Sequence, residues 1–336
     1  MNANIIQGDC IEVMRTLDAG SVQTCVTSPP YWGLRDYGVD GQIGLESTPD
    51  AYIARMVEVF REVRRVLRDD GTLWLNLGDS YNAGTSSKRK KPKTNVDVGG
   101  WNDAEIDGGA RINDPTVKTK DLCMMPWRVA LALQADGWYI RSVIVWAKKS
   151  PMPESVTDRP TSSWEPIFLM AKSERYFYDA EAVKEPWTSG RNDMRSKGVR
   201  TGLAYLGGAF NNSIKDGNEG DGMRADGGPS LGGRNQRNVW HLGPEPYAEA
   251  HFATFPTEIP RRCILAGSRP GDTVLDPFNG SGTTGAVAVQ HGRNYVGIEL
   301  NPAYIELAKD RIGKARNPAT YQSQKVVDAP LFGVAP

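Results

Sequence analysis

The chain has 336 residues, and its 40 Lys+Arg balance 40 Asp+Glu, so its formal net charge is zero. That balance excludes a histone-like basic chain, while 39% hydrophobic and 24% charged residues suffice for a packed core and exclude wholesale disorder. No apolar run approaches the roughly 20 residues that cross a bilayer, and the start of the chain carries no basic-then-apolar leader, so a cytoplasmic protein is expected, with one large α/β domain or two domains.

Residues 4–7 read as a short strand, and residues 10–17 as a helix with Ile11, Met14 and Leu17 on one face. A second strand, 21–26, runs into Thr27-Ser28-Pro29-Pro30-Tyr31, where two prolines force a turn. Thr48 is the expected N-cap of a long helix, with Pro49 at its first position and Tyr52, Ile53, Met56, Val57, Phe60, Val63, Val66 and Leu67 giving its apolar period. Asp69-Asp70-Gly71 is expected to stop it, and 72–77 to form the next strand. Residues 82–120 are basic and Gly-rich, 121–136 helical, 138–148 and 164–172 strands, and 175–179 a short hairpin strand. Residues 186–240 are loop-like, with twelve Gly and eight Lys+Arg against five Asp+Glu. Order returns from about 250 to 315, and 317–336 is a polar tail expected to fray. Cys10, Cys25, Cys123 and Cys263 lack C-x-x-C spacing and His241, His251 and His291 lack ligand spacing, so no disulfide or metal site is expected. Each Cys reads as a small buried hydrophobe.

The strongest local signal comes late. Thr273-Val274-Leu275-Asp276 is a short apolar strand, followed by Pro277-Phe278-Asn279-Gly280-Ser281-Gly282-Thr283-Thr284-Gly285 and an Ala/Val-rich helix. Gly280, Gly282 and Gly285 spell G-x-G-x-x-G, and the next strand ends at Glu299, 19 positions after Gly280. Glycines let a ligand approach the backbone, and a carboxylate at the second strand end accepts from ribose hydroxyls, so an adenosine-containing ligand fits. A bare strand–helix turn and NAD binding stay open as alternatives. The carboxylate of Asp276 would repel a pyrophosphate and suits a cationic amine. Only 37 residues follow Glu299, so the rest of the sheet must come from upstream.

The turn Ser28-Pro29-Pro30-Tyr31 is open to two readings. It is either a rigid corner with a packed Tyr, or a device for gripping a planar base that bears an amine. In the second, the Ser28 hydroxyl and the carbonyl of Ser28 or Pro29 accept amine protons, and Tyr31 stacks.

Together these stretches resemble the DNA amino-methyltransferases, which use S-adenosylmethionine to methylate exocyclic nitrogens. The catalytic motif precedes the cofactor motif, as in the permuted β group. Further likenesses lie in Gly8-Asp9 with Glu12, in the strand-like stretch up to Asp79, in Trp164-Glu165-Pro166-Ile167, in Asn238-Val239-Trp240, and in His251-Phe252-Ala253-Thr254-Phe255-Pro256. The resemblance implies an α/β, doubly wound, mostly parallel Rossmann-like sheet, circularly permuted, with a variable target-recognition region. The implied organisation is 1–81 catalytic half, 82–120 basic insertion, 121–185 remaining strands and helix, 186–245 target recognition, 246–316 cofactor half and 317–336 tail. The implied catalytic residues are Ser28, Pro29, Pro30 and Tyr31. S-adenosylmethionine falls to Asp9, Asp276, Pro277, Phe278, Gly280, Ser281, Gly282, Thr283 and Glu299, and DNA to Lys88, Arg89, Lys90, Lys91, Arg234 and Arg237. The target base is flipped out of the duplex. Ser28 at the first motif position favours cytosine N4 over adenine N6. The implied setting is a bacterial or phage-encoded, nucleoid-associated protein acting on double-stranded DNA, with a homodimer and a cognate restriction endonuclease left open. Other readings are an NAD-dependent oxidoreductase, a non-catalytic nucleic-acid-binding module, and methylation of RNA or a protein glutamine.

Overall fold

The computed structural model describes residues 1–82, 114–151, 153–185, 233–243 and 255–316. Of these, the ones within 1–178 and 238–316 form one compact body, and the ones within 179–237 a second, smaller one.

In the larger body the elements run β1 (Ala3–Gln7), α1 (Cys10–Arg15), β2 (Val22–Thr27), α2 (Pro49–Val66), β3 (Leu67–Asn76), α3 (Met125–Ala135), β4 (Tyr139–Lys148), β5 (Trp164–Ala171), β6 (Val239–Leu242), α4 (Glu258–Gly267), β7 (Thr273–Asp276), α5 (Thr283–Gln290), β8 (Asn294–Glu299) and α6 (Pro302–Ala315). Helix α2 starts where the sequence predicts. The Thr48 side chain accepts from Ala51 N, Pro49 sits in the first turn, and Arg64 and Arg65 meet the negative end of the helix dipole. Its buried face (Tyr52, Met56, Val59, Phe60, Val63, Val66) packs with α1 and α3 over Leu73 and Leu75 of β3. Thr72 and Trp74 point to the other face, where α4 comes so close that a Cβ on Gly267 would lie 2.8 Å from Thr72 Oγ1. Helices α4, α5 and α6 pack together there.

The sheet order is β1-β8-β7-β2-β3-β5-β4-β6. Five neighbouring pairs are parallel, and only β5 runs against its two neighbours. This is the doubly wound, mostly parallel, Rossmann-like sheet, with its permuted order plain in the pairing. Thr24 and Cys25 of β2 lie beside Val274 and Leu275 of β7. From β7 the chain crosses by α5 to β8 on one side; from β2 it crosses by α2 to β3 on the other. The winding reverses between β7 and β2, and such a reversal leaves a crevice outside the carboxyl ends of the two strands.

Three local expectations need correction. Asp69-Asp70-Gly71 does not stop the helix: α2 ends at Val66, and β3 begins at Leu67, paired with Val22. Gly71 marks the irregularity in that pairing, since a Cβ there would lie 2.9 Å from Arg68 O and 3.1 Å from Gln23 O. Residues 175–179 form no strand; Phe177 N donates to Asp70 O without a ladder. The loop-like stretch ends earlier than 240, because β6 pairs in register with β4 from Val239 onward. The expected tail 317–336 lies outside the described residues.

Candidate active site

The crevice at the reversal is a cavity of about 520 Å³. The carboxyl ends of β2 and β7 are joined across it: Thr27 Oγ1 donates to Asp276 Oδ1 at 2.7 Å, and the same oxygen accepts from Phe278 N at 3.0 Å. Two turns written 249 residues apart therefore open into one space. Of the residues expected to act, Asp9, Ser28, Pro29, Pro30, Tyr31, Asp276, Pro277, Phe278, Gly280, Ser281, Thr283 and Glu299 all line it.

The turn after β2 is held by side chains from elsewhere. The Pro30 carbonyl accepts from Tyr52 Oη of α2 at 2.8 Å. The Tyr31 ring lies on Gly78, where a Cβ would stand 2.2 Å from it, so only glycine leaves room. The Tyr31 hydroxyl donates to Glu165 Oε2 at 2.8 Å and lies 3.4 Å from Ser28 Oγ. Asn76 Nδ2 reaches the same Glu165 oxygen at 3.2 Å, and Lys148 Nζ pairs with the other oxygen while sitting 5.0 Å from the Trp146 ring centre. Burial, with Glu165 adding to it, pushes the Tyr31 phenol well above its ordinary range, so it stays protonated.

The turn after β7 is held by close packing. Gly280 and Gly282 adopt left-handed φ of 49° and 79°. At Gly280 the nearest atom beyond its chain neighbours, Phe278 O, is 4.0 Å from where a Cβ would stand, which leaves an open cradle. Gly282, expected to touch the cofactor, does not line the cavity; a Cβ there would lie 2.8 Å from Ala308 of α6. Gly285 faces Tyr295 and Ile312, each 2.5 Å from a would-be Cβ.

Burial raises the Asp276 carboxyl to about 6, against the lowering bonds from Thr27 and Phe278. Glu299 accepts from Gly280 N at 2.7 Å and Asn301 N at 2.8 Å, and burial pushes its pKa up as well. Asp9 caps α1 through Ile11 N and Glu12 N and pairs with Arg55 at 3.2 Å, while Glu12 pairs with exposed Arg15 away from the cavity. Leu34, Arg35, Val39 and Gln42 also line the cavity, as do Tyr37 and Tyr304, which sit edge-on with ring centres 6.5 Å apart. Cys10 also lines the cavity, but burial pushes its thiol to about 12, and all four cysteines are buried and unbridged.

Asn76, Trp146, Lys148, Glu165, Tyr37 and Tyr304 were not picked out from the sequence as site residues. Glu165 lay inside a stretch recognised as family-like, and its position beside Pro166 on a buried strand was the available signal.

In the smaller body, Arg234 and Arg237 both pair with Glu185 Oε2 at 3.0 Å, and the Glu185 and Arg234 backbones exchange bonds of 2.9 Å. Lys88, Arg89, Lys90 and Lys91 lie outside the described residues.

Comparison with known proteins gives the family and the fold. The model of a family described as DNA methylase matches residues 22–310. Type II methyltransferase M.Cfr9I of Citrobacter freundii is 47% identical over 310 residues, covering 92% of this chain and 87% of that protein. Type II methyltransferase M.SmaI of Serratia marcescens is 44% identical over 318 residues, covering 94% and 92%. Among solved structures, the PvuII DNA methyltransferase (cytosine-N4-specific) superposes with a TM-score of 0.60 at 17% identity, covering 96% of this chain and 93% of that one. TTHA0409 of Thermus thermophilus, complexed with S-adenosyl-L-methionine, gives 0.54 at 23%, covering 94% and 97%.

Proposed function

The chain belongs to the DNA methylase family, and from that premise we propose that it methylates the N4 amine of a cytosine flipped out of duplex DNA, at a specific site, with S-adenosylmethionine as donor. One observation carries this reading: the Ser28–Tyr31 turn and the Asp276–Gly280 turn line a single cavity and are tied by the Thr27–Asp276 hydrogen bond.

The donor, when bound, supplies an electrophilic sulfonium methyl. The open cradle at Gly280 and the charge of the lining suit it. Asp276, at the end of β7, suits its cationic amine, and Glu299 suits the ribose hydroxyls. On the other side, the Pro30 carbonyl is already committed to Tyr52, so the acceptors for the base amine fall to Ser28 and the Pro29 carbonyl. Accepting the amine protons draws the nitrogen toward tetrahedral geometry and localises a lone pair that the ring otherwise delocalises. Two prolines leave these acceptors little freedom to lose, so their contribution is positioning and charge placement. Tyr31, fixed by Gly78 and Glu165, offers a flat face to the base. Cytosine carbon-5 chemistry needs a thiolate, and the Cys10 thiol in the cavity is held protonated.

The choice of cytosine rests on Ser28, a residue commoner at this position in the N4 enzymes of the family than in the N6 ones. The Lys88–Lys91 run suits phosphate contact; Arg234 and Arg237, read as DNA contacts, are both already paired with Glu185. Incubation with methyl-labelled S-adenosylmethionine and mixed-sequence DNA, followed by nucleoside mass spectrometry, tests the reading. N4-methylcytosine is expected; N6-methyladenine, or no label in DNA, overturns it.

A further inference from the structure

On the reading that this cavity takes S-adenosylmethionine, we infer that Arg311 of α6 is a positioning residue for the carboxylate at the methionine end. Helix α6 sits directly on the glycine turn, because Gly282 leaves room for Ala308. Arg311 is three residues further along and so lies on the same face of the helix. Its Nη1 donates to Thr283 Oγ1 at 2.7 Å and to Ser281 Oγ at 3.1 Å, one hydroxyl on either side of Gly282.

A guanidinium donates and never accepts. Each hydroxyl therefore spends a lone pair on Arg311, and its single proton must point elsewhere. Ser281 and Thr283 both line the cavity. The result is a pair of hydroxyl donors with a cation behind them, set where α5 begins and the helix dipole favours negative charge. Asp276 and Glu299, on the same cavity, are both acidic. These two carboxylates suit the amine and ribose of the donor, and the Arg311-backed hydroxyls of Ser281 and Thr283 suit the one anionic group it carries.

The test compares binding of S-adenosylhomocysteine, which keeps the carboxylate, with 5′-methylthioadenosine, which lacks it, by titration calorimetry on the full chain. Arg311→Gln is expected to weaken S-adenosylhomocysteine by ~10- to 100-fold, the scale of a lost charge-assisted hydrogen bond, and to leave methylthioadenosine within about twofold. Arg311→Lys is expected to fall between. Thr283→Val, which removes a hydroxyl and keeps the volume, is expected to give the same selective loss and serves if Arg311→Gln does not fold. Equal weakening of both ligands, or unchanged S-adenosylhomocysteine affinity, overturns the inference. A wild-type chain that binds neither ligand refutes the donor itself, an outcome read without any variant.

Discussion

The two turns that meet in the cavity are stiffened in opposite ways. After β2, the Ser28–Tyr31 turn has no glycine; its shape comes from two prolines and from hydrogen bonds to side chains 3 to 134 residues away. After β7, Gly282 and Gly285 let Ala308, Ile312 and Tyr295 press against the backbone, Gly280 leaves an open cradle, and the side chains of Asp276, Glu299 and Arg311 bond the turn from close by. The first arrangement fixes acceptor atoms and a ring, which the proposed methyl transfer to an amine would need. The second fixes a backbone surface, which binding of an extended cofactor needs. The two should therefore fail differently when altered.

The largest effect is expected at the first turn. Ser28→Ala should lower single-turnover methyl transfer by ~100-fold or more, the scale of losing a preorganised charge-stabilising group, with S-adenosylhomocysteine affinity unchanged by calorimetry. Gly285→Val should break the second turn through packing. With two side chains inside van der Waals distance, it should cost about 1–3 kcal/mol of stability in a denaturant titration and weaken the cofactor, while a chain that remains folded keeps its DNA affinity.

Asp276 sharpens the contrast because its charge is costly until a cation arrives. With a carboxyl at about 6 in the free protein, S-adenosylhomocysteine affinity should rise as pH climbs through 6 and level off above it, with protons released on binding near that pH. The raised value also means that stability is greatest with the group protonated and is lost as pH rises through about 6. Asp276→Asn should therefore unfold a few degrees higher than wild type at pH 8, with little difference at pH 4, and lose ~10-fold or more in cofactor affinity. Calorimetry and thermal unfolding at the two pH values check both signs. The smallest effect is expected at Glu165, which lines the cavity but whose carboxylate is taken up by Tyr31, Asn76 and Lys148. Glu165→Gln keeps an acceptor for the phenol and should lower turnover by ~3- to 10-fold without moving cofactor affinity; a loss as large as that of Ser28→Ala would make Glu165 more than a support for the ring.

The same contrast explains what could be read from the amino-acid order. The second turn is local. Strand, glycine turn, helix and acidic strand end follow one another within 27 residues, so the elements around the second turn were legible in the sequence. At the first turn only the covalent corner was legible. Tyr52, Asn76, Gly78 and Glu165 come from α2, β3 and its end, and β5, and nothing in their own neighbourhoods marks them as partners of Tyr31. Long periodic elements such as α2 declared themselves through a cap and a repeating apolar face. Short or irregular ones did not: β6 has four residues, with exposed Val239 beside buried Trp240, and pairing across the sheet decides its state. Gly71 looked like a helix stop because the rule for Asp-Asp-Gly is a local one, whereas in the fold it makes room for two carbonyls, Arg68 three residues back and Gln23 on the neighbouring strand.

The seat of β7 between β2 and β8 carries a consequence for biosynthesis. β2 leaves the ribosome early, but the strand that covers its open edge emerges about 250 residues later. Until then the nascent chain holds an unpaired, fully buried-type strand exposed in the middle of an unfinished sheet, the kind of edge that invites mispairing. A message cut short before Thr273 yields a polypeptide with the Ser28–Tyr31 corner written and no β7 strand to close the cavity beside it.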